Sequence, residues 1–166
     1  MKITKELLKE KGACAAGYRD FLKEYPVDKY PDGVEYQELL DCCAEKNFSY
    51  GSWLLGAFGK TDDVRKIEGD LIVEKGIIFA GQLEVKGCIK AGDGIEAGNG
   101  IEAGDGIEAG WGIEAGDGIE VGNKFGIYAG LRCRITNKTQ RKIIAKKRPE
   151  NIMCGEFEEK KDDAMR

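Results

Sequence analysis

Apolar residues recur at every sixth position through the middle of the chain, from Leu71 to Ile119. A second apolar or small residue follows each of them two positions later, as Ala97 follows Ile95. A spacing of two places both side chains on one face of an extended strand and the residue between them on the other face. The pattern therefore predicts a series of short strands, each of which buries one pair of side chains.

Corners that contain glycine separate the predicted strands, and from residue 92 on most of them carry Asp or Asn between two glycines. This glycine content excludes a helix, and the glycines do not fall at every third position as they do in collagen. Gly, Asn and Asp tolerate positive φ, which suits a repeated corner. One unit cannot bury its pair alone. We therefore expect the units to stack, three to a coil, into a triangular β-solenoid of about three coils.

Residues 1–59 carry a helical pattern instead. It predicts four helices that end near residues 11, 25, 46 and 58. Thr4, Asp32 and Ser49 are the expected N-terminal caps of three of them, and Gly59 is the expected stop of the last. We expect this module to cover the wide end of the solenoid, because bare strand edges pair readily with other chains.

The predicted fold class is α+β, with a β-solenoid, a small N-terminal helical domain and a C-terminal β-strand cap. The expected regions are a helical module at 1–59, a linker at 60–66, the solenoid at 67–130, a basic strand cap at 131–149 and a charged tail at 150–166. Alternation from Leu131 to Ile135, and roughly from Lys142 to Ala145, predicts a hairpin or a final pair of longer strands in the cap. The tail is expected to be a frayed helix or disordered.

Composition excludes several classes of site. The chain has six cysteines without a CxxC pair and no histidine, so we expect no metal site, no cofactor and reduced thiols in a cytoplasmic protein. No apolar run is long enough to cross a membrane, and the start does not resemble a signal peptide.

The charge is unevenly placed, with eight acidic and no basic residues in 91–123 and eight basic and no acidic residues in 131–148. Such an uneven distribution of charge indicates that the chain binds charged partners.

Glutamate occupies the outward position of five consecutive predicted strands: Glu96, Glu102, Glu108, Glu114 and Glu120. With three units to a coil, residues eighteen apart stack, so Glu96 pairs with Glu114 and Glu102 with Glu120. Glu84 extends the second of these rows, and Lys90 relieves Glu108 on the third. The glutamates either form a solvated face that keeps the solenoid soluble or imitate nucleic-acid phosphates and engage a basic protein groove.

Trp111 breaks the Asp and Asn series at the corners. We expect it to be exposed, either as an anchor for a protein interface or packed locally against residues 124–125. Tyr128 should stack beside Glu108. The basic segment that begins with Arg132 and Arg134 could contact nucleic acid, or it could neutralise the acidic flank of the same chain or of a second copy. We expect protein contact in preference to nucleic acid.

Three resemblances bear on function. The six-residue units of 71–121 resemble those of left-handed hexapeptide-repeat acyltransferases, which generally rely on a catalytic histidine that this chain lacks. The stretch IEGDLIV from residue 67 resembles the triangular helix of bactofilins, which polymerise end to end. The N-terminal stretch LLKEKGACAAGYRDFLKEYP, with SYGSWLL further on, resembles a small helical module of phage and prophage proteins.

These patterns lead to one expected function and two alternatives. We expect a non-enzymatic protein-binding protein without catalytic residues, in kind like the phage-encoded inhibitors of host nucleic-acid machinery that include anti-CRISPR proteins. Its partner would be a host protein or protein complex in the host cytoplasm, bound through the glutamates and Trp111. The first alternative is a self-assembling scaffold that forms homo-oligomers as bactofilins do, and the second is an acyltransferase, which the missing histidine disfavours.

Overall fold

Four helices and one short strand pair form the N-terminal module of the structure, a computed structural model that describes residues 1–161. In chain order these elements are β1 (Lys2–Ile3), α1 (Lys5–Glu10), α2 (Ala15–Glu24), β2 (Val34–Glu35), α3 (Tyr36–Lys46) and α4 (Phe48–Phe58). The Thr4 hydroxyl accepts a hydrogen bond from the Leu7 amide at 3.3 Å, as a cap does. Gly59 ends α4 with a φ of 81°. These two ends of the helical module are as predicted.

Two predicted helix starts are wrong. Residue 32 does not cap α3, because β1 and β2 pair antiparallel and keep the chain extended as far as Glu35. α4 begins at Phe48, before the predicted cap Ser49, whose hydroxyl instead donates to the side chain of Asn47 at 2.7 Å. At α3 the pairing with β1, which lies about thirty residues earlier in the chain, decides where the helix begins.

Fourteen further strands wind into a triangular solenoid of about five turns, which confirms the predicted fold class. They are β3 (Val64–Ile67), β4 (Leu71–Val73), β5 (Ile77–Phe79), β6 (Gln82–Val85), β7 (Ile89–Ala91), β8 (Ile95–Ala97), β9 (Ile101–Ala103), β10 (Gly106–Ala109), β11 (Ile113–Ala115), β12 (Ile119–Val121), β13 (Gly126–Ala129), β14 (Lys142–Ala145), β15 (Ile152–Cys154) and β16 (Glu156–Glu159).

Three parallel sheets form the walls of the solenoid. Sheet I contains β3, β6, β9 and β12; sheet II contains β4, β7, β10, β13 and β15; sheet III contains β5, β8, β11, β14 and β16. Neighbouring strands in the repeat pair residues eighteen apart, such as Ile95 with Ile113. The isoleucines and alanines at the inward positions form one buried core along the axis. The predicted register of three units per coil is therefore confirmed.

The solenoid extends beyond the predicted bounds at both ends. Part of the expected linker 60–66 belongs to β3, where Arg65 lies opposite Leu83 of β6. The apolar pattern did not predict this strand because arginine occupies an inward position. Its guanidinium group lies 4.6 Å from the centre of the Phe79 ring. Part of the expected tail 150–166 forms β15 and β16, which continue sheets II and III. Residues 162–166 lie outside the described part of the chain.

In the basic cap 131–149 the predicted strand from Leu131 to Ile135 and the hairpin are wrong, whereas the predicted strand from Lys142 to Ala145 is confirmed as β14. Residues 131–137 form a loop, a 3₁₀ helix follows at Lys138–Arg141, and β14 then joins sheet III parallel to β11. The reason is burial: Ile143 and Ala145 of β14 are completely buried in the solenoid core. Ile135, at the end of the alternating stretch, is instead 79% exposed.

The helical module packs mainly against β5, a strand at the end of the solenoid. The Gln37 side chain of α3 donates to the carbonyl oxygen of Ile78 at 2.8 Å and accepts from the amide of Ala80 at 3.0 Å. The outward side chain of Ile78 is 1% exposed and belongs to the core of the module. Ile72, at the equivalent position of β4, is 66% exposed. The module thus covers this end at sheet III and leaves Ile72 of sheet II uncovered.

Candidate protein-binding surface

The outward position of a solenoid strand is its middle residue, and on sheet I three such positions carry stacked glutamates. Glu84 lies opposite Glu102, and Glu102 lies opposite Glu120. We call these three residues the acidic row. Parallel strands are about 4.8 Å apart, so the row places carboxylates along the axis at that interval. Glu120 and Glu102 are exposed, while Glu84 is half-buried.

Only part of the charge of the acidic row is balanced by its neighbours. The ammonium group of Lys66 lies 3.0 Å from a carboxylate oxygen of Glu84. The side-chain amide of Gln82 donates to Glu84 and to Glu102, at 2.9 Å in each case. Partial desolvation raises the pKa of Glu102, and repulsion from Glu84 and Glu120 raises it further. The row therefore carries a surplus of negative charge at a surface that solvent reaches.

Sheet II carries the third predicted glutamate row, and its charge is compensated. The ammonium group of Lys90 lies 3.2 Å from a carboxylate oxygen of Glu108. Tyr128 stacks on Glu108 in the parallel register, as predicted. Glu108 and Tyr128 therefore lie together on one face, and an opposite charge lies beside the glutamate.

On sheet III, Glu96 and Glu114 stack as predicted, but both are engaged within the chain. The Ser52 hydroxyl of α4 donates to Glu96, and the Lys160 ammonium group lies 2.7 Å from a Glu114 oxygen. Burial raises the pKa of the Glu96 carboxyl; Glu114 raises it further, while the Ser52 hydrogen bond and Lys160 oppose the shift. Glu96 is therefore a contact between the helical module and the solenoid.

The raised pKa of Glu96 predicts a stability change on Glu96→Gln. A carboxyl whose pKa is raised in the folded state stabilises that state below its ordinary pKa, and this contribution is lost as pH rises through the raised pKa. At neutral pH the wild-type charge is thus unfavourable. We expect Glu96→Gln to raise the free energy of unfolding in urea at pH 7, and the gain to shrink as the pH falls toward 4.

Glu156→Gln is the matched control for this measurement, because Glu156 is exposed on β16 and lies outside the acidic row. It should change the free energy of unfolding little at either pH. A Glu96→Gln protein that is no more stable than wild type at pH 7 would contradict the inferred cost of the buried charge.

Trp111 lies at the corner between sheets II and III and is 42% exposed. It borders a hollow of about 240 Å³ whose wall also includes Phe48 of α4 and Ile144 of β14. Arg132 runs along the same corner, with its Cδ atom 3.0 Å from where a Cβ atom on Gly110 would lie. A large aromatic side chain and a guanidinium group next to each other are typical of protein interfaces.

The predicted site residues fall on separate faces. The hollow beside Trp111 is also bordered by Glu96 and Glu114, whereas Glu102 and Glu120 lie on sheet I. Arg134 is exposed in the loop 131–137. The sequence did not predict the side chains that bind these glutamates, namely Ser52, Gln82 and Lys160. No local pattern marks Ser52 or Lys160, since they reach the glutamates from elements distant in sequence.

In residues 1–161 no three His, Cys, Asp or Glu side chains are grouped closely enough to hold a metal ion. The helices described there are too short or too polar to cross a bilayer. Comparison with protein-family models, with curated proteins and with solved structures found no significant match.

Proposed function

We propose that the protein is a non-enzymatic binding protein whose acidic row contacts a basic surface of a partner protein. The observation that carries the proposal is the stacking of Glu84, Glu102 and Glu120 with a surplus of negative charge. Two like charges at this spacing repel by about 1 kcal/mol in water. A partner that places Lys or Arg side chains along the row removes this repulsion and gains attraction.

The regular line of negative charge along the row also suggests the class of partner. Carboxylates at about 4.8 Å intervals present a regular negative line, and the phosphates of a nucleic-acid strand present another at about 3.4 Å along the duplex axis. We therefore propose a nucleic-acid-binding protein as the partner. With the phage-like N-terminal stretch, this favours an inhibitor that occupies host nucleic-acid machinery in the host cytoplasm, as anti-CRISPR proteins do.

Affinity capture from nuclease-treated bacterial lysate tests the proposal. The immobilised wild type is compared with a variant in which all three glutamates of the acidic row are changed to Gln. Each exposed ion pair contributes about 0.2–1 kcal/mol, and 1.4 kcal/mol is a tenfold change in affinity. We therefore expect about tenfold weaker binding of the captured protein to the variant. Added duplex DNA should release that protein from the wild type.

The matched control changes the three glutamates of β16 to Gln, which alters the net charge by the same amount on another sheet. This control should capture the same protein as the wild type. Equal capture by all three proteins, or capture that DNA does not affect, would remove the acidic row as a site that imitates nucleic acid.

Self-assembly is the second candidate, and the ends of the sheets favour it. Within the described residues, β3 and β4 at one end and β12, β15 and β16 at the other each pair with a strand on one side. Such edges can pair with a second copy. Sedimentation over a wide concentration range separates the candidates, because end-to-end assembly predicts a mass that grows with concentration and a binding protein without assembly predicts a constant mass.

A further inference from the structure

The helical module contains a cavity of about 320 Å³ bounded by all four of its helices. Apolar side chains from each helix line it, including Leu8, Phe21, Leu39 and Leu54. The cavity is partly open to solvent, so a small molecule can enter it from outside.

The chemistry of the wall changes from apolar inside to charged at the mouth. Cys42 and Cys43 line the cavity, and burial raises the pKa of Cys43 to about 12, so this thiol is neutral at physiological pH. The charged side chains that border the cavity are exposed: Asp20, Lys23, Glu24 and Lys46. Two acids and two bases balance each other there, and the Lys46 ammonium group pairs with Glu24 at 2.5 Å.

We propose that this cavity binds a small neutral apolar molecule. Its volume lies at the lower end of the range of about 300–1,000 Å³ for small-molecule sites. An apolar ligand gains from leaving water. A charged ligand would lose its hydration without a counter-charge inside, because the charges of the mouth are balanced. The proposal is independent of the acidic row, which lies on sheet I.

Gly17 offers a way to fill the cavity. It lies in α2 on the cavity wall, and a Cβ atom there would lie 3.4 Å from the Cys14 sulfur and 3.7 Å from the Tyr50 ring. These are ordinary contacts, so a Cβ atom fits there, and we expect the rest of the side chain of Gly17→Leu to extend into the cavity. Gly56 of α4 is exposed with no atom within 4 Å of a Cβ position, which makes Gly56→Leu the matched control.

The test titrates the full chain with N-phenyl-1-naphthylamine, a neutral apolar fluorophore. We expect saturable binding at one site in the wild type and in Gly56→Leu, and at least tenfold weaker binding in Gly17→Leu. Octan-1-ol should displace the fluorophore from the wild type at concentrations at least tenfold lower than octanoate. Circular dichroism checks that each variant is folded.

Three results would overturn the proposal. They are the absence of saturable binding to the wild type, unchanged binding to a folded Gly17→Leu protein, and displacement by octanoate as effective as displacement by octan-1-ol. The displacement measurement uses the wild type, so it decides the matter even if Gly17→Leu does not fold.

Discussion

Gly116→Ala is expected to destabilise the solenoid by about 3 kcal/mol or more, at the upper end of the cost of overpacking. A Cβ atom on Gly116 would lie 1.9 Å from the carbonyl oxygen of Gly98 in the preceding coil. Backbone cannot yield as the end of a flexible side chain can, so the two coils must separate. Urea unfolding followed by circular dichroism measures the loss.

Gly118, at the other side of the same corner, provides the control. No atom lies within 4 Å of a Cβ position on Gly118. Gly118→Ala should therefore leave the free energy of unfolding unchanged or raise it by up to about 1 kcal/mol, because alanine restricts the unfolded chain. Equal effects of the two substitutions would show that close approach between coils does not explain the glycine at position 116.

The structure also changes the physical explanation for glycine at the corners of the repeat. Positive φ was the expected cause, but in the described chain the glycines with positive φ are Gly12, Gly33, Gly59, Gly126, Gly130 and Gly155, all outside the regular repeat corners. At Gly116 the requirement is space, since the stacked coils bring backbone to within the distance that a Cβ atom would need.

Ile113→Ala is expected to lower the free energy of unfolding by about 2–5 kcal/mol, the usual cost of removing a buried isoleucine side chain beyond Cβ. Ile113 is completely buried, in register between Ile95 of β8 and Ile143 of β14. The walls on either side are held by parallel hydrogen bonding, so the core should close only partly around the missing atoms. Thermal and urea unfolding both measure the change.

Ile72→Ala removes the same atoms from the exposed middle position of β4, where the side chain is 66% exposed. It should change stability by no more than about 0.5 kcal/mol. Comparable losses for the two variants would contradict the assignment of Ile113 to the shared core and of Ile72 to the surface.

The repeat was predictable because strand geometry and core packing both require apolar or small side chains at the same inward positions. Every sixth residue must face inward for the coil to close, so the sequence period gives the strands, the three-sided coil and the stacking of Glu102 on Glu120. The ends were less predictable. Arg65 occupies an inward position at the open end, where it can reach Asp41 at 3.6 Å, and this interrupts the apolar period. At the other end, β14, β15 and β16 follow connections of unequal length, which break the period of six residues. The pattern therefore underestimated the number of turns.

The candidate surface was predictable in its charge and not in its accessibility. The sequence identified the outward glutamates, yet Glu96 is engaged by Ser52 of the helical module and Glu114 by Lys160 near the end of the described chain. These partners are 44 and 46 residues away in sequence. A period of six residues describes only neighbours within a strand and between successive coils, so it carries no information about such contacts.

Ile72 and Ile78 show where the information in the sequence ends. They occupy equivalent outward positions in consecutive units, and the sequence determined that position for both. Only the tertiary structure decided that Ile78 is buried at 1% exposure and Ile72 is not. The physical reason is that α3 and α4 pack on β5, where Gln37 satisfies the strand edge, and this docking depends on the shape of the whole module.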